Sequence, residues 1–272
     1  MLKAAALKRS TFYHQLALLR AEDKYAQVKQ SIHKIFHRHK GRYGYRRITA
    51  VLRQDGHVIN HKTVQRLMDK LSLKSLVRPK KYKSYRGDEA PAAPDLLKRD
   101  FDAEAPNQKW TTDVTEFAVA GSKLYLSPVM DLYNREIISF TISNRPSLQL
   151  VRSMLTKALR KLKHDERPTF HSDQGWQYRM ASYQHTLKNR GIQQSMSRKG
   201  NCYDNSAMES FFAVLKTEFF HLNKFASIEQ FKRALKTYIR YYNYTRIKMS
   251  LGGLSPVQYR TQHTSLIQKP SN

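Results

Sequence analysis

The sequence predicts an α/β fold, a mixed sheet flanked by helices and preceded by an all-α region. Three observations predict it. From Asn107 onward, runs rich in β-branched and aromatic residues give three strand candidates before any helix. Two further short strands then alternate with helical patterns, as in a sheet covered on both faces. Residues 41–76 show instead two short amphipathic helices joined by a polar turn.

In chain order, residues 1–40 read as a basic N-terminal helical segment in which "SIHKIFHRH" carries Ile32, Ile35 and Phe36. His33, His37 and His39 are spaced like metal ligands, but a solvated basic helix face accounts for them. Residues 41–76 read as a helix-turn-helix-like DNA-binding region, the plainer alternative being a small helical bundle with a basic exposed face. "YGYRRITAVLRQDG" places Ile48, Val51 and Leu52 on one face and ends at the Asp55-Gly56 turn signal. Asn60 caps "HKTVQRLMDKL", where Val64, Leu67, Met68 and Leu71 recur at helical spacing. Its outward residues include Lys62, Arg66 and Lys70, candidates for contact with DNA. Residues 77–106 mix a basic run with Pro, Gly and Ala and read as a basic linker.

"KWTTDVTEF", "KLYLSPVMDLY" and "REIISFTIS" are the first three strands, with a turn at Tyr133-Asn134. "SLQLVRSMLTKALRKL" is a helix with Leu148, Val151, Met154, Leu155, Ala158 and Leu159 on one side. A strand ending in "FHSDQG", the helix "MASYQHTLKNRG" and the strand "IQQSM" follow. A loop then leads into "NSAMESFFAVLK", whose stripe of Met208, Phe211, Phe212, Leu215 and Phe219 makes a helix. Residues 221–272 form a C-terminal helical tail.

Composition limits the partners. Lys plus Arg number 49 against 21 Asp plus Glu, a formal charge of +28. Such a surplus calls for a polyanion, and double-stranded DNA is the natural one. No apolar run approaches the ~18 residues of a membrane span, and no signal-peptide pattern is present, so a membrane is not expected. The single cysteine, Cys202, rules out an internal disulfide and fits a cytoplasmic, nucleoid-associated protein. It also rules out a zinc module built on paired cysteines.

Within so basic a chain, a few acids stand out by place. Functional groups gather at strand ends and in the loops after them. Asp113 lies in the first strand, Asp173 closes the fourth, and Glu209 lies in the first turns of a helix. Three acids brought together need a cation between them, and an all-oxygen set favours Mg²⁺ or Mn²⁺. Two such ions can clamp the attacking and leaving oxygens of phosphoryl transfer. Each acid also has a plain structural use. Asp113 could satisfy neighbouring threonines, Asp173 could start an Asx-turn, and Ser206-x-x-Glu209 matches a capping box. Asp131, at a strand end before a turn, reads as structural, and Glu116 as peripheral. Lys216, seven residues after Glu209, falls within about 20° of it around a helix, where an ammonium could meet a phosphate.

Thirty-five residues separate Asp173 from Glu209, and fifty-nine separate Asp113 from Asp173. With Lys216 in its place, this pattern resembles the D, D, E signature of retroviral-type integrases and bacterial DDE transposases. The words "WTTDVTEF", "HSDQGWQY", "SMSRKGNCYDNSAMESFFAVLKTE" and "YNYTRIKMSLGGLSPVQY" resemble the second-reading-frame (OrfB) transposases of bacterial insertion sequences. The likeness covers residues 40–260 or so. It implies a ribonuclease-H-like integrase catalytic core over 107–220, with Asp113, Asp173 and Glu209 as catalytic residues and ligands of two Mg²⁺ ions. It implies strand cleavage that frees a 3′-hydroxyl, then attack of that hydroxyl on a second phosphodiester. Arg198 and Lys199, in a loop that resembles the mobile catalytic loop, become candidate DNA contacts. The resemblance also implies a homo-oligomer on DNA and a partner or fusion from the upstream frame (OrfA), since "MLKAAALKRSTFYHQL" opens no long heptad. One departure stands in the tail, where Arg246-Ile-Lys248 ends in lysine and many relatives have histidine. Two other function classes fit parts of the pattern: a stand-alone ribonuclease-H-like nuclease that cuts without joining, and a DNA-binding regulator that uses only the helix-turn-helix.

Overall fold

The computed structural model describes residues 8–13, 23–77, 93–198 and 202–267. Half of the expected linker, 78–92, and the candidate Lys199 lie outside the described residues. The chain divides into two compact units, residues 1–75 and 76–272.

The first unit is helical. α1 (Ala26–Arg38), α2 (Tyr45–Gln54) and α3 (His61–Lys70) bury Ile32, Ile35, Ile48, Leu52, Val64 and Leu67 against one another. These are the stripe residues of the sequence, so helical periodicity and burial agree. The turn follows from its residues. Gly56 takes φ +89°, a conformation that costs a glycine little, and the Arg53 guanidinium donates to the Ile59 carbonyl across it. The Asn60 side chain then accepts from the Lys62 N–H at 2.8 Å, the cap expected from sequence. Helix α1 shares this core, so the apolar side of "SIHKIFHRH" completes the helix-turn-helix pair. His39 is buried and stacks on Tyr43 at 3.8 Å, whereas the His33 and His37 rings stay exposed and meet at 3.1 Å.

The second unit is a six-stranded mixed sheet. β1 (Lys109–Thr112), β2 (Thr115–Val119), β3 (Ser122–Asp131) and β4 (Ile137–Ser143) pair antiparallel around β3. β5 (Thr169–Ser172) runs parallel to β1, and β6 (Gln194–Met196) runs parallel to β5. α4 (Leu148–Leu159) leads towards β5; α5 (Trp176–Arg179) and α6 (Ala181–Asn189) lead towards β6. α7 (Ser206–Leu215), a π-helical turn at Lys216–Phe220, α8 (Ile228–Tyr244) and α9 (Pro256–Ile267) complete the chain.

Two apolar layers sandwich the sheet. Phe117, Leu124, Leu126 and Met130 pack against Met208, Phe211 and Leu215 of α7 and Phe231, Leu235 and Tyr238 of α8. Trp110, Val129 and Phe170 pack on the other face against Val151, Met154 and Leu155 of α4 and Tyr183 and Leu187 of α6. Met130 and Val129 point to opposite layers, as neighbours in a strand must. The tail is thus part of the covering layer: α8 closes the sheet face that α7 leaves open.

One element differs from the sequence reading. "KWTTDVTEF" is not one unbroken strand, and Asp113 does not lie inside it. β1 ends at Thr112 and β2 starts at Thr115, although both keep one register on β3, with Thr112 opposite Val129 and Thr115 opposite Leu126. That register sets Asp113 opposite Pro128. Proline has no N–H to give the ladder, so pairing lapses there. The lapse frees the Asp113 backbone at the carboxyl end of β1, beside the end of its parallel neighbour β5.

Candidate active site

Asp113 follows β1 directly and Asp173 follows β5 directly, so parallel pairing brings both to one end of the sheet. Both are half-buried. Each carboxylate has one oxygen fixed by a backbone N–H: Val114 donates to Asp113 Oδ1 at 2.6 Å, and Gly175 donates to Asp173 Oδ1 at 3.0 Å. The second bond is the Asx-turn allowed for Asp173. A Cβ at residue 175 would lie 2.9 Å from that same oxygen, so the turn needs glycine.

Glu209 enters from α7, in the first turn of the helix. The capping box does not explain it. Ser206 is already helical and Asn205 is the cap residue, with its side chain turned to strand β1 and not to the helix N–H groups. Electrostatics tie the acids together. Burial raises the Asp113 carboxyl well above the usual range, the Asp173 and Glu209 charges raise it further, and Lys216 works the other way. Burial also raises Asp173. The Lys216 ammonium lies 5.8 Å from the centre of the Phe117 ring, within electrostatic reach of Asp113. Among the described residues, no three His, Cys, Asp or Glu side chains stand close enough to cage an ion already.

The other candidates are placed as follows. Arg198 donates through Nε to Asp204 Oδ2 at 3.0 Å and through Nη2 to Asp204 Oδ1 at 3.2 Å, so its guanidinium braces the loop. Lys62, Arg66 and Lys70 are exposed on α3, and Arg66 also lies 5.9 Å from the Tyr25 ring. Glu116 is exposed and pairs with Lys123 at 3.1 Å.

Asp131 is structural, as its turn position suggested. It is sealed from solvent and accepts from the N–H of Asn107 at 2.8 Å and of Tyr133 at 2.9 Å. Burial lifts its carboxyl to about 6, above the ordinary aspartate value of about 4. The folded chain therefore holds a proton that the unfolded chain releases between those values. Stability from this group is full below about pH 4 and is lost as pH rises through about 6, by on the order of 3 kcal/mol. Melting curves across pH 4–7 check this: the wild type should lose stability relative to Asp131→Asn as pH rises, and parallel curves would contradict it.

Sequence reasoning missed two residues here. Tyr178 is buried near the acids, and its hydroxyl is pushed well up by burial and by the charges of Asp173 and Asp113. Asp204 is buried between Arg198 and Arg99. Burial opposes its charge, yet hydrogen bonds from these arginines hold its carboxyl at about 2. Both lie in quoted words, "HSDQGWQY" and "GNCYDNS", but only the folded register shows what they touch.

Comparison with known proteins now bears on this geometry. The Integrase core domain family matches residues 103–202 and again 209–264, and the HTH-like domain family matches residues 22–81. InsK of insertion sequence element IS150, from Escherichia coli strain K12, is 55% identical over 96% of this chain and 93% of its own length. The chain belongs to the insertion-sequence transposases. The transposase InsF of insertion sequence IS3A, from the same organism, is 39% identical over 84% of this chain and 80% of its own. Among solved structures, the HTLV-2 integrase catalytic core domain in complex with magnesium aligns with a TM-score of 0.46 at 16% identity. It covers 58% of this chain and 98% of that one. By its family matches, this transposase is a polynucleotidyl transferase with an integrase core domain and a helix-turn-helix-like region. No helix among its described residues is long and apolar enough to cross a membrane.

Proposed function

We propose that this transposase cleaves and joins DNA strands with Asp113, Asp173 and Glu209 as its catalytic trio, holding two Mg²⁺ ions, or Mn²⁺ in their place. The observation that supports the reading is geometric: Asp113 and Asp173 directly follow the neighbouring parallel strands β1 and β5, and Glu209 and Lys216 lie within electrostatic reach of Asp113. An all-oxygen donor set of three carboxylates fits a hard divalent ion. When bound, such ions stabilise charge on the phosphodiester and make a water or sugar hydroxyl a better nucleophile.

The chain's own contribution is placement. Asp113, beside the lapse at Pro128, and Asp173, in its Asx-turn at Gly175, stand at one end of the sheet, and Glu209 stands in the first turn of α7. Hydrolysis at the element's end breaks one phosphodiester P–O bond and frees a 3′-hydroxyl. That hydroxyl then forms a new P–O bond with a second phosphodiester as the old one breaks. Lys216 holds a phosphate beside the reacting bond, and Lys62, Arg66 and Lys70 meet the DNA backbone. The chain acts at the nucleoid as a homo-oligomer on DNA, with the upstream-frame product as a further partner.

Lys216→Ala is expected to weaken DNA affinity severalfold while leaving Mn²⁺ affinity nearly unchanged, since one phosphate contact is lost and no metal ligand is. Fluorescence anisotropy with labelled duplex checks this, and unchanged DNA affinity would refute it. The function itself is tested by incubating the chain with Mg²⁺ and a duplex that carries the element's end with a 3′-hydroxyl. Joined strands are expected. Cleavage that never yields joined strands would favour a plain nuclease instead.

A further inference from the structure

The 3₁₀ turn at Cys202–Asn205, just before α7, is bonded to both strands that the aspartates follow. Asn205 is buried. Its Oδ1 accepts from the Thr111 hydroxyl at 2.6 Å, and its Nδ2 donates to the Thr112 carbonyl at 3.1 Å, one residue before Asp113. The neighbouring Asp204 carbonyl meets His171 Nε2 at 2.8 Å, two residues before Asp173. A carbonyl can only accept, so Nε2 carries the ring proton. The ring's Nδ1 then accepts from the Ser195 hydroxyl at 2.8 Å, and Ser195 Oγ accepts in turn from the Leu96 N–H at 2.9 Å. Every polar atom on this path has a single consistent role. The Asp204 carboxylate, held by Arg99 and Arg198, fixes the turn from outside.

Glu209 lies one helical turn after Asn205. An α-helix is stiff over one turn, so whatever sets the height of Asn205 along β1 also sets the height of Glu209. We propose that Asn205, with Thr111 as its partner and the bond from His171 to the Asp204 carbonyl beside it, is a positioning residue that sets the third acid against the first two and thereby tunes affinity for the divalent ion. The proposal rests on the three-acid reading above. It gives the buried polar path a task beyond stability, since apolar side chains would fill the same space without fixing a register.

Calorimetric titration of the full chain with Mn²⁺ tests it, with melting temperatures measured alongside. Thr111→Val keeps shape but removes the donor, and Asn205→Ala removes both bonds. Each is expected to raise the Mn²⁺ Kd by about tenfold, the usual scale for groups that orient metal ligands. Thr111→Ser restores the hydroxyl and should bind within about twofold of wild type on that scale. If Thr111→Val and Asn205→Ala melt earlier yet bind Mn²⁺ like wild type, the path is merely structural and the proposal falls. Asp173→Asn separates the two claims. Should it bind Mn²⁺ as well as wild type, the three-acid reading fails. Should it lose binding while Thr111→Val does not, only the positioning role fails.

Discussion

Asp173→Asn is expected to lower strand cleavage and strand joining together, each by at least about a thousandfold. The side chain keeps its shape and one acceptor oxygen, so the Asx-turn to the Gly175 N–H can persist. What disappears is a negative charge. A carboxylate that grips a divalent ion contributes several kcal/mol to transition-state stabilisation, and each 1.36 kcal/mol is tenfold in rate. The fold should not suffer. Burial and Asp173 both oppose ionisation of Asp113, so removing one charge relieves repulsion in the metal-free chain. The variant should therefore melt at or above the wild-type temperature without metal. Cleavage and joining assays on the same end duplex, read beside melting curves, check both parts. An inactive variant that had also unfolded would not support the account, and a variant with near-normal activity would contradict it.

The second large effect concerns stability. Arg246→Ala is expected to destabilise the second unit by about 3–5 kcal/mol. Arg246 donates through Nε and Nη2 to the two oxygens of Glu218, each at 2.7 Å, and the Tyr238 hydroxyl reaches the same carboxylate at 3.3 Å. Both ionic side chains are almost sealed, at 3% and 2% exposure, so truncating the arginine would leave a buried carboxylate without its cation. The cost is mainly that stranded charge. Replacing both partners, as in Glu218→Leu with Arg246→Met, should recover most of the loss, because a buried ion pair is worth little more than well-packed apolar groups. Urea unfolding of the two single variants and the double variant measures this. A single variant costing under about 1 kcal/mol would show that the pair is solvated.

Much of this architecture could be read from the sequence, and the reasons are local. Helical stripes such as Ile48, Val51 and Leu52, or Met208, Phe211, Phe212 and Leu215, are the residues the fold buries, because periodicity and burial are one constraint. The Asn60 cap needed only its own neighbours. Asp173 and Glu209 were legible by position, at a strand end and a helix start. Long-range pairing was not legible. The break at Asp113 depends on Pro128 standing opposite, and only the register of β3 reveals it. The proline in "KLYLSPVMDLY" was the available signal, since a central strand seldom tolerates one. Arg198 reads as a free loop charge until Asp204, six residues on, folds back to it. Arg246 was visible as part of a motif, but its partner Glu218 lies 28 residues away, turned inward from the π-helical turn. That turn is a helical irregularity that no simple period announces.

The central claim is that Asp113, Asp173 and Glu209 converge on divalent metal. A crystal of the protein soaked in Mn²⁺ and measured at the manganese absorption edge tests it most directly, because the anomalous signal locates the ion without reference to the protein phases. The account predicts anomalous density among these three side chains, with carboxylate oxygens from all three at about 2.0–2.3 Å. Manganese bound only elsewhere, or held by Asp113 and Asp173 while Glu209 stays out of reach, would contradict it.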